Sequence, residues 1–293
     1  MRREGFPGSY VLRDAVRPAR RPRQTRTRRS GVVRCHSSAM RIAVVGGTGT
    51  VGALAVEHLA LRGHEVRIIS RYAAGDAAGI GHSRVDLSSG EGVRAGLDEI
   101  EVVVDAANAR PGGRQMRRVL VDGSRRLLAA GAEAGVKHHV LISIVGIDDV
   151  PNAYYRAKLQ QERLVGNSPV PSSIVRATQF HQLLDEVFRT IGRVGVLPRG
   201  VLPLQPVDAR EVAGALADAV EAGPQPERRE IAGPEVRTVA ELARIWMRVT
   251  GRRWLLVPLP VWGVAGTALR AGALTAPHAP RGSETFEHWL RER

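Results

Sequence analysis

The 293-residue chain is 43% hydrophobic but only 4% aromatic, so its core must be mostly Val, Leu, Ile and Ala, a composition that suits buried parallel strands. A single cysteine, Cys35, excludes an internal disulfide framework, offers no zinc or iron–sulfur cluster, and points to a reducing cytoplasm; no metal ligands are expected. The formal charge of +14 invites a nucleic-acid reading, but residues 1–39 hold +9 of it, as eleven Arg against Glu4 and Asp14.

Residues 1–39 carry Arg-Arg pairs, Pro and Gly with no apolar periodicity, and no apolar stretch of signal-peptide length follows. Three readings stay open. The segment is a disordered basic arm for nucleic acid or acidic lipid headgroups, an organellar transit peptide, or sequence upstream of a true start at Met40. The remaining residues have an ordinary charge for a soluble enzyme, so a nucleic-acid partner is not expected of them.

From Met40 onward strands and helices alternate. Arg41-Ile42-Ala43-Val44-Val45 predicts a short buried strand, and Thr50 to Arg62 a helix with Val51, Leu54, Ala55 and Leu59 on one face and Gly63 as its stop. Strands are expected at Glu65–Ile69 and, weakly marked, at Arg84–Leu87. Ser88 or Ser89 is expected to cap a helix to Leu97. Strand Glu101–Asp105, a long helix from Arg114 to Ala134, strand His139–Val145, a helix from Ala153 to Val165 and strand Ser173–Arg176 follow. Beyond Thr178 the rhythm loosens. Gln179–Thr190 reads as helical, and a Gly/Pro-rich segment leads to Val201–Leu204. Asp208 caps a helix to Ala222, and Thr238 with Glu241 forms a capping box for one ending near Gly251. The uncharged run from Trp254 to Thr267 is broken by Pro258, Pro260 and glycines and is too short to span a bilayer. It is expected to belong to a lobe over the cleft, and no membrane partner is expected. Such alternation makes a doubly wound parallel α/β sheet with right-handed crossovers.

Between the first strand and first helix lies Gly46-Gly47-Thr48-Gly49-Thr50-Val51-Gly52. Glycines there permit a tight turn, close approach of backbone to a pyrophosphate, and close helix–strand packing, while the helix start offers unpaired N–H groups. The alternative is a tight turn without a ligand. In a dinucleotide site an acid after the second strand holds the ribose of NAD, whereas Arg accommodates the 2′-phosphate of NADP. Here the chain reads Ser70-Arg71, with no acid until Asp76, so NADP(H) is expected over NAD(H), with Arg71 on the phosphate and Ser70 as a hydrogen-bond donor. The alternative for Arg71 is an ordinary surface arginine. By position, Asp86 and Leu87 are expected at the adenine, and Ala107 and Asn108 on the ribose side.

Tyr154 and Lys158 stand at i and i+4 on one face of the helix after the fifth strand. In hydride transfer a tyrosine hydroxyl protonates the developing alkoxide, and a neighbouring ammonium lowers its pKa and holds the nicotinamide ribose. Ser143, eleven residues before Tyr154, is placed to complete the set. Lys158 and Lys137 are the two lysines among 43 basic residues, so a lysine beside Tyr154 is not dictated by composition. The alternatives are a half-buried rim tyrosine, a solvated lysine and a strand-end serine.

With these residues the chain resembles the NmrA-like branch of the atypical short-chain dehydrogenase/reductase superfamily. The resemblance rests on Val44–Gly52, Ser70-Arg71, Ile142–Asp148, Tyr154–Lys158 with Glu162, Arg176–Phe180 and Val207–Ala213. It implies a Rossmann domain over 40–178, with 179–293 completing the sheet and forming a small substrate lobe. It also implies Thr178, Gln179 and Phe180 near the nicotinamide. Some such proteins reduce quinones, dyes or other carbonyl-like acceptors; others bind the cofactor as sensors without turnover. The expectation is an NADP(H)-dependent oxidoreductase acting on a small carbonyl- or quinone-like substrate, as a monomer or homodimer. The alternative is a non-catalytic NADP(H)-binding redox sensor.

Overall fold

The structure, a computed structural model, describes residues 39–72, 80–258 and 262–293. Cys35, Asp76 and nearly all of the basic extension lie outside these residues.

Seven parallel strands form the central sheet in the order β3-β2-β1-β4-β5-β6-β9. They are β1 (Arg41–Val45), β2 (Glu65–Ser70), β3 (Ile80–Arg84), β4 (Val102–Asp105), β5 (His138–Ile144), β6 (Ser172–Ala177) and β9 (Arg229–Ile231). Alternate residues of β1 serve opposite faces. Ile42 and Val44 pack with Val51, Ala55 and Leu59 of α1 (Thr50–Leu61) and with Val212, Ala213 and Leu216 of α7 (Ala209–Ala222). Ala43 and Val45 pack with Leu97 and with Leu127 of α4 (Ser124–Glu133). Both faces are covered, and so the strand reads as one apolar run rather than an alternation. The strand order reverses between β1 and β4, which opens a crevice at their carboxyl ends.

Three local expectations need correction. The third strand is Ile80–Arg84, ending where Arg84–Leu87 was expected; it is an edge strand paired to β2 alone, and its sequence has little apolar signal. The helix expected from Ser88 to Leu97 shrinks to α2 (Val93–Gly96). Asp86 accepts from the Ser88 amide at 2.8 Å and its hydroxyl at 2.7 Å, so Ser88 closes an Asx-turn instead of capping a helix. The helix expected from Arg114 to Ala134 begins as α3 (Gly113–Arg117) and widens into a π-turn at Arg118–Gly123 before α4.

After β6 come α6 (His181–Gly192), β7 (Val196–Arg199) and β8 (Pro203–Leu204), then α7 and β9. The chain ends with β10 (Arg237–Thr238), α8 (Val239–Thr250), β11 (Leu255–Pro258), α9 (Gly263–Arg270) and α10 (Phe286–Arg291). Asp208 caps α7 through the Arg210 amide, and Thr238 and Glu241 cap α8 reciprocally. Phe188, Leu242, Trp246, Phe286 and Trp289 form a second core outside the main sheet. None of the described residues of 254–267 lines the cleft; Trp254 instead stacks on Trp246, with ring centroids 5.1 Å apart.

A buried ion pair ties β6 to α5 (Ala153–Gly166): Arg176 donates to both carboxylate oxygens of Glu162, at 2.9 and 2.7 Å. Asp148 and Arg228 complete the network. Glu162→Ala leaves a buried guanidinium half-paired and is expected to destabilise the fold by about 3 kcal/mol, to be read by urea denaturation.

Candidate functional site

The crevice widens into a cleft of about 1650 Å³. Its wall includes, of the residues picked out in the sequence, Gly46, Thr48, Gly49, Thr50, Val51, Gly52, Ser70, Arg71, Asp86, Leu87, Ala107, Asn108, Ser143, Tyr154, Lys158 and Thr178. Seven segments, separated by up to 132 positions, thus meet at one end of the sheet.

The glycine turn is built by contact, not by flexibility in general. Gly46 has φ +75°, and a Cβ there would lie 2.8 Å from the Ala106 carbonyl oxygen. A Cβ on Gly52 would lie 2.2 Å from the Gly46 carbonyl oxygen, so α1 touches the turn along its backbone. No side chain caps α1 and its first turn has no acid. The amides of Thr50, Val51 and Gly52 therefore lack a side-chain acceptor, and the helix dipole favours an anion there. This environment fits a diphosphate.

At the far end of β2 the Arg71 guanidinium lies 5.6 Å from the Tyr72 ring centroid. Asp86 is held below the usual carboxylate range, first by the Ser88 hydroxyl and also by the nearby Arg71 charge. Ser70 does not offer its proton to the cleft as expected: its hydroxyl donates to the Tyr72 carbonyl at 2.7 Å.

Lys158 is 3% exposed, which overturns the reading of a solvated lysine. Its ammonium donates to the Ile142 carbonyl at 2.9 Å and to Gln161 Oε1 at 2.6 Å. Gln161 in turn donates to Asp105 at 3.1 Å and Ser124 at 2.9 Å. Burial pushes Lys158 down to about 8, against the raising influence of the Asp105 and Glu162 charges. Sequence reasoning missed Gln161 and Asp105. Gln161 lies three residues after Lys158, but Asp105 is 56 residues from Gln161 and no spacing rule joins them.

Tyr154 departs from expectation. Its hydroxyl donates to Asn108 Oδ1 at 2.9 Å, and burial raises its pKa above the ordinary phenol value. The expected lowering by a neighbouring ammonium is not seen: burial outweighs the lowering that the Asn108 hydrogen bond supplies. Ser143 lines the cleft but is 3% exposed, and its buried Oγ has no protein partner. Thr178 lines the cleft, but its hydroxyl donates to the Gln205 carbonyl, holding the following segment in place. Gln179 likewise braces this region, donating to the Leu274 carbonyl at 2.8 Å. Gln182, Leu183 and Glu186 of α6 also line the wall and were not singled out in the sequence.

One grouping of metal-capable side chains occurs among the described residues: Glu284, His288 and Glu292. The two carboxylates face opposite nitrogens of the His288 ring, Glu284 at Nδ1 and Glu292 at Nε2.

The family described as NAD(P)H-binding matches residues 46–222, the span from the glycine turn to the end of α7. The chain belongs to this NAD(P)H-binding family. A (4-alkanoyl-5-oxo-2,5-dihydrofuran-3-yl)methyl phosphate reductase of Streptomyces griseus is 30% identical to it over 251 residues, 84% of each chain. The chloroplastic divinyl chlorophyllide a 8-vinyl-reductase of Arabidopsis thaliana is 24% identical over 260 residues, covering 76% of this chain and 61% of that one. Among solved structures, the Bordetella bronchiseptica enzyme WbmG in complex with NAD superposes with a TM-score of 0.70 at 17% identity, over 89% of this chain and 94% of that one. The NADPH complex of the Escherichia coli quinone oxidoreductase QOR2 also gives 0.70 at 17% identity, covering 86% and 99%. At such identities the superpositions show the fold, that of the NAD(P)-binding Rossmann superfamily. Within this NAD(P)H-binding family the oxidoreductase-like character is shared; no helix of the described chain is long and apolar enough to cross a membrane.

Proposed function

We propose that this chain is an NADP(H)-dependent oxidoreductase of the NmrA-like branch that reduces a small carbonyl- or quinone-like acceptor in the cytoplasm. The carrying observation is the buried Lys158 ammonium, set beside Ser143 and Tyr154 on the wall of the cleft that begins at the glycine turn. When bound, NADPH supplies the hydride. The α1 amides hold its diphosphate, Arg71 takes the 2′-phosphate, and Lys158 holds the nicotinamide ribose. Ser143 hydrogen-bonds the acceptor. The quoted reductase and quinone oxidoreductase relatives support a reductive direction.

The expected result is NADPH consumption, followed at its absorbance band, with at least one class among quinones, aldehydes and dyes; no turnover across all three sinks the catalytic reading. A second reading, a non-catalytic redox sensor, is favoured by the Tyr154–Asn108 bond, which keeps the phenol occupied. It requires binding of NADP+ and NADPH with no turnover. Tyr154→Phe separates acceptor types: an aldehyde reductase loses most of its rate, whereas a quinone acceptor, which takes hydride with little help from an acid, loses little.

Cofactor choice has its own test. Arg71→Ala is expected to weaken NADP+ by roughly 10- to 100-fold and NAD+ much less, since only the former carries the 2′-phosphate. Equal losses in calorimetry would remove Arg71 from that role.

A further inference from the structure

Five large apolar side chains that lie mostly in solvent come from two segments, 194–201 and 255–264. Val194, Val201, Leu255, Trp262 and Val264 are each more than 70% exposed. They flank or belong to the two-stranded parallel sheet of β7 and β11, in which Leu255 pairs with Val196 and Pro258 with Arg199. The Leu255 amide donates to the Gly195 carbonyl at 3.2 Å, so Val194 and Leu255 share one end of the pair. Arg199 closes the other end, about 10 Å away across three residue steps, and Val201, Trp262 and Val264 come after the two strands in the chain. Along β11, Leu255 and Val257 are exposed while Leu256 between them packs against the second core.

The segments that carry these side chains are strongly basic. Residues 187–207 and 242–283, which contain both strands, hold nine arginines and no Asp or Glu. Arg189 and Arg248 are paired with Asp185 and Glu287 from outside these segments. Arg252 lies over the Trp254 ring at 5.3 Å. Among the described residues, no carboxylate is bonded to Arg193, Arg199 or Arg253. An apolar strip runs on from this edge: Leu183, Val187 and Ile191 repeat at four-residue spacing on α6, and Leu183 lines the cleft.

We propose that this edge docks on the surface of an anionic lipid bilayer, with Trp262, Leu255 and Val264 at the acyl boundary and Arg193, Arg199 and Arg253 on headgroup phosphates. Exposed aliphatic and indole groups on segments whose Arg193, Arg199 and Arg253 bond no described carboxylate match an interface that is apolar below and negative above. A second copy of this chain fits worse. Two copies of this arginine-rich face brought together would repel. The proposed docking is peripheral, needs no spanning helix and is independent of turnover.

The test is sedimentation of the full chain with phosphatidylcholine vesicles, with and without phosphatidylglycerol. The chain is expected to bind the anionic vesicles only, and less so as salt rises. The double variant Trp262→Ser, Leu255→Ser keeps every arginine, including those of residues 1–39, and lies outside the cleft. It is expected to lower the vesicle partition coefficient roughly tenfold or more with unchanged NADPH affinity. Undiminished binding by this variant would assign any lipid affinity to charge alone and overturn the proposal. No binding of the parent to anionic vesicles would also overturn it, as would a dimer in sedimentation velocity that the same substitutions dissolve.

Discussion

Gly52→Val is expected to abolish measurable binding of NADPH and NADP+ while leaving a folded protein. A Cβ at this position would stand 2.2 Å from the Gly46 carbonyl oxygen, 2.8 Å from its carbon and 3.0 Å from Gly47 Cα. All three obstacles are backbone, so no side chain can swing aside. The start of α1 must move off the turn, and it carries the amides of Thr50 and Val51 with it. Those donors act on a diphosphate only from fixed positions, because the helix-end field fades within a turn. Seven strands and the Ile42–Leu59–Leu216 packing remain in place, so the overpacking is expected to cost about 1–3 kcal/mol of stability rather than the fold. Calorimetry measures the first effect and a thermal melt the second. Affinity within a few-fold of the parent would remove the turn from the cofactor site.

Lys158→Met is the second large effect. The proposed role requires the ammonium form, and substitution is expected to lower kcat/KM on the order of 100-fold. Because burial brings this lysine down to about 8, the parent should lose kcat/KM tenfold per pH unit above that value, while the Met variant stays flat over the same range. Stability moves in the opposite sense. The folded-state value lies below the ordinary lysine value of 10.5, so between about 8 and 10.5 the unfolded chain binds more protons. The contribution of Lys158 to folding stability therefore rises with pH across that window, and below it the full cost of burying the charge is present. Melting temperatures of parent and variant compared from pH 7 to pH 10.5 are expected to converge or cross in that sense. Parallel curves would show that Lys158 does not titrate there.

Much of the cofactor side of the cleft is legible without a structure because its determinants are local. A five-residue strand, a glycine triplet and a largely apolar helix follow one another within 21 positions, from Arg41 to Leu61. The caps at Asp208 and Thr238 are equally local, since each side chain bonds an amide two or three residues on. The third strand was not legible at its true place. Ile80-Gly81-His82-Ser83-Arg84 is an edge strand held by backbone pairing to β2, and such pairing leaves almost no trace in side-chain pattern.

The acid–base half of the cleft divides differently. Residue type and spacing placed Tyr154 and Lys158 on one helical face, and that is all that spacing can do. Whether the phenol is poised or occupied depends on Asn108, 46 positions away on another loop, and whether the lysine is charged depends on burial and on Asp105 behind Gln161. Proton affinity and hydrogen-bond partnership are set by neighbours through space, and only the packing of β4, β5 and α5 brings those neighbours together. The basic, apolar edge of β7 and β11 has the same origin. Its arginines and aliphatic side chains come from segments more than 50 residues apart, and the strand pairing decides that they share a surface.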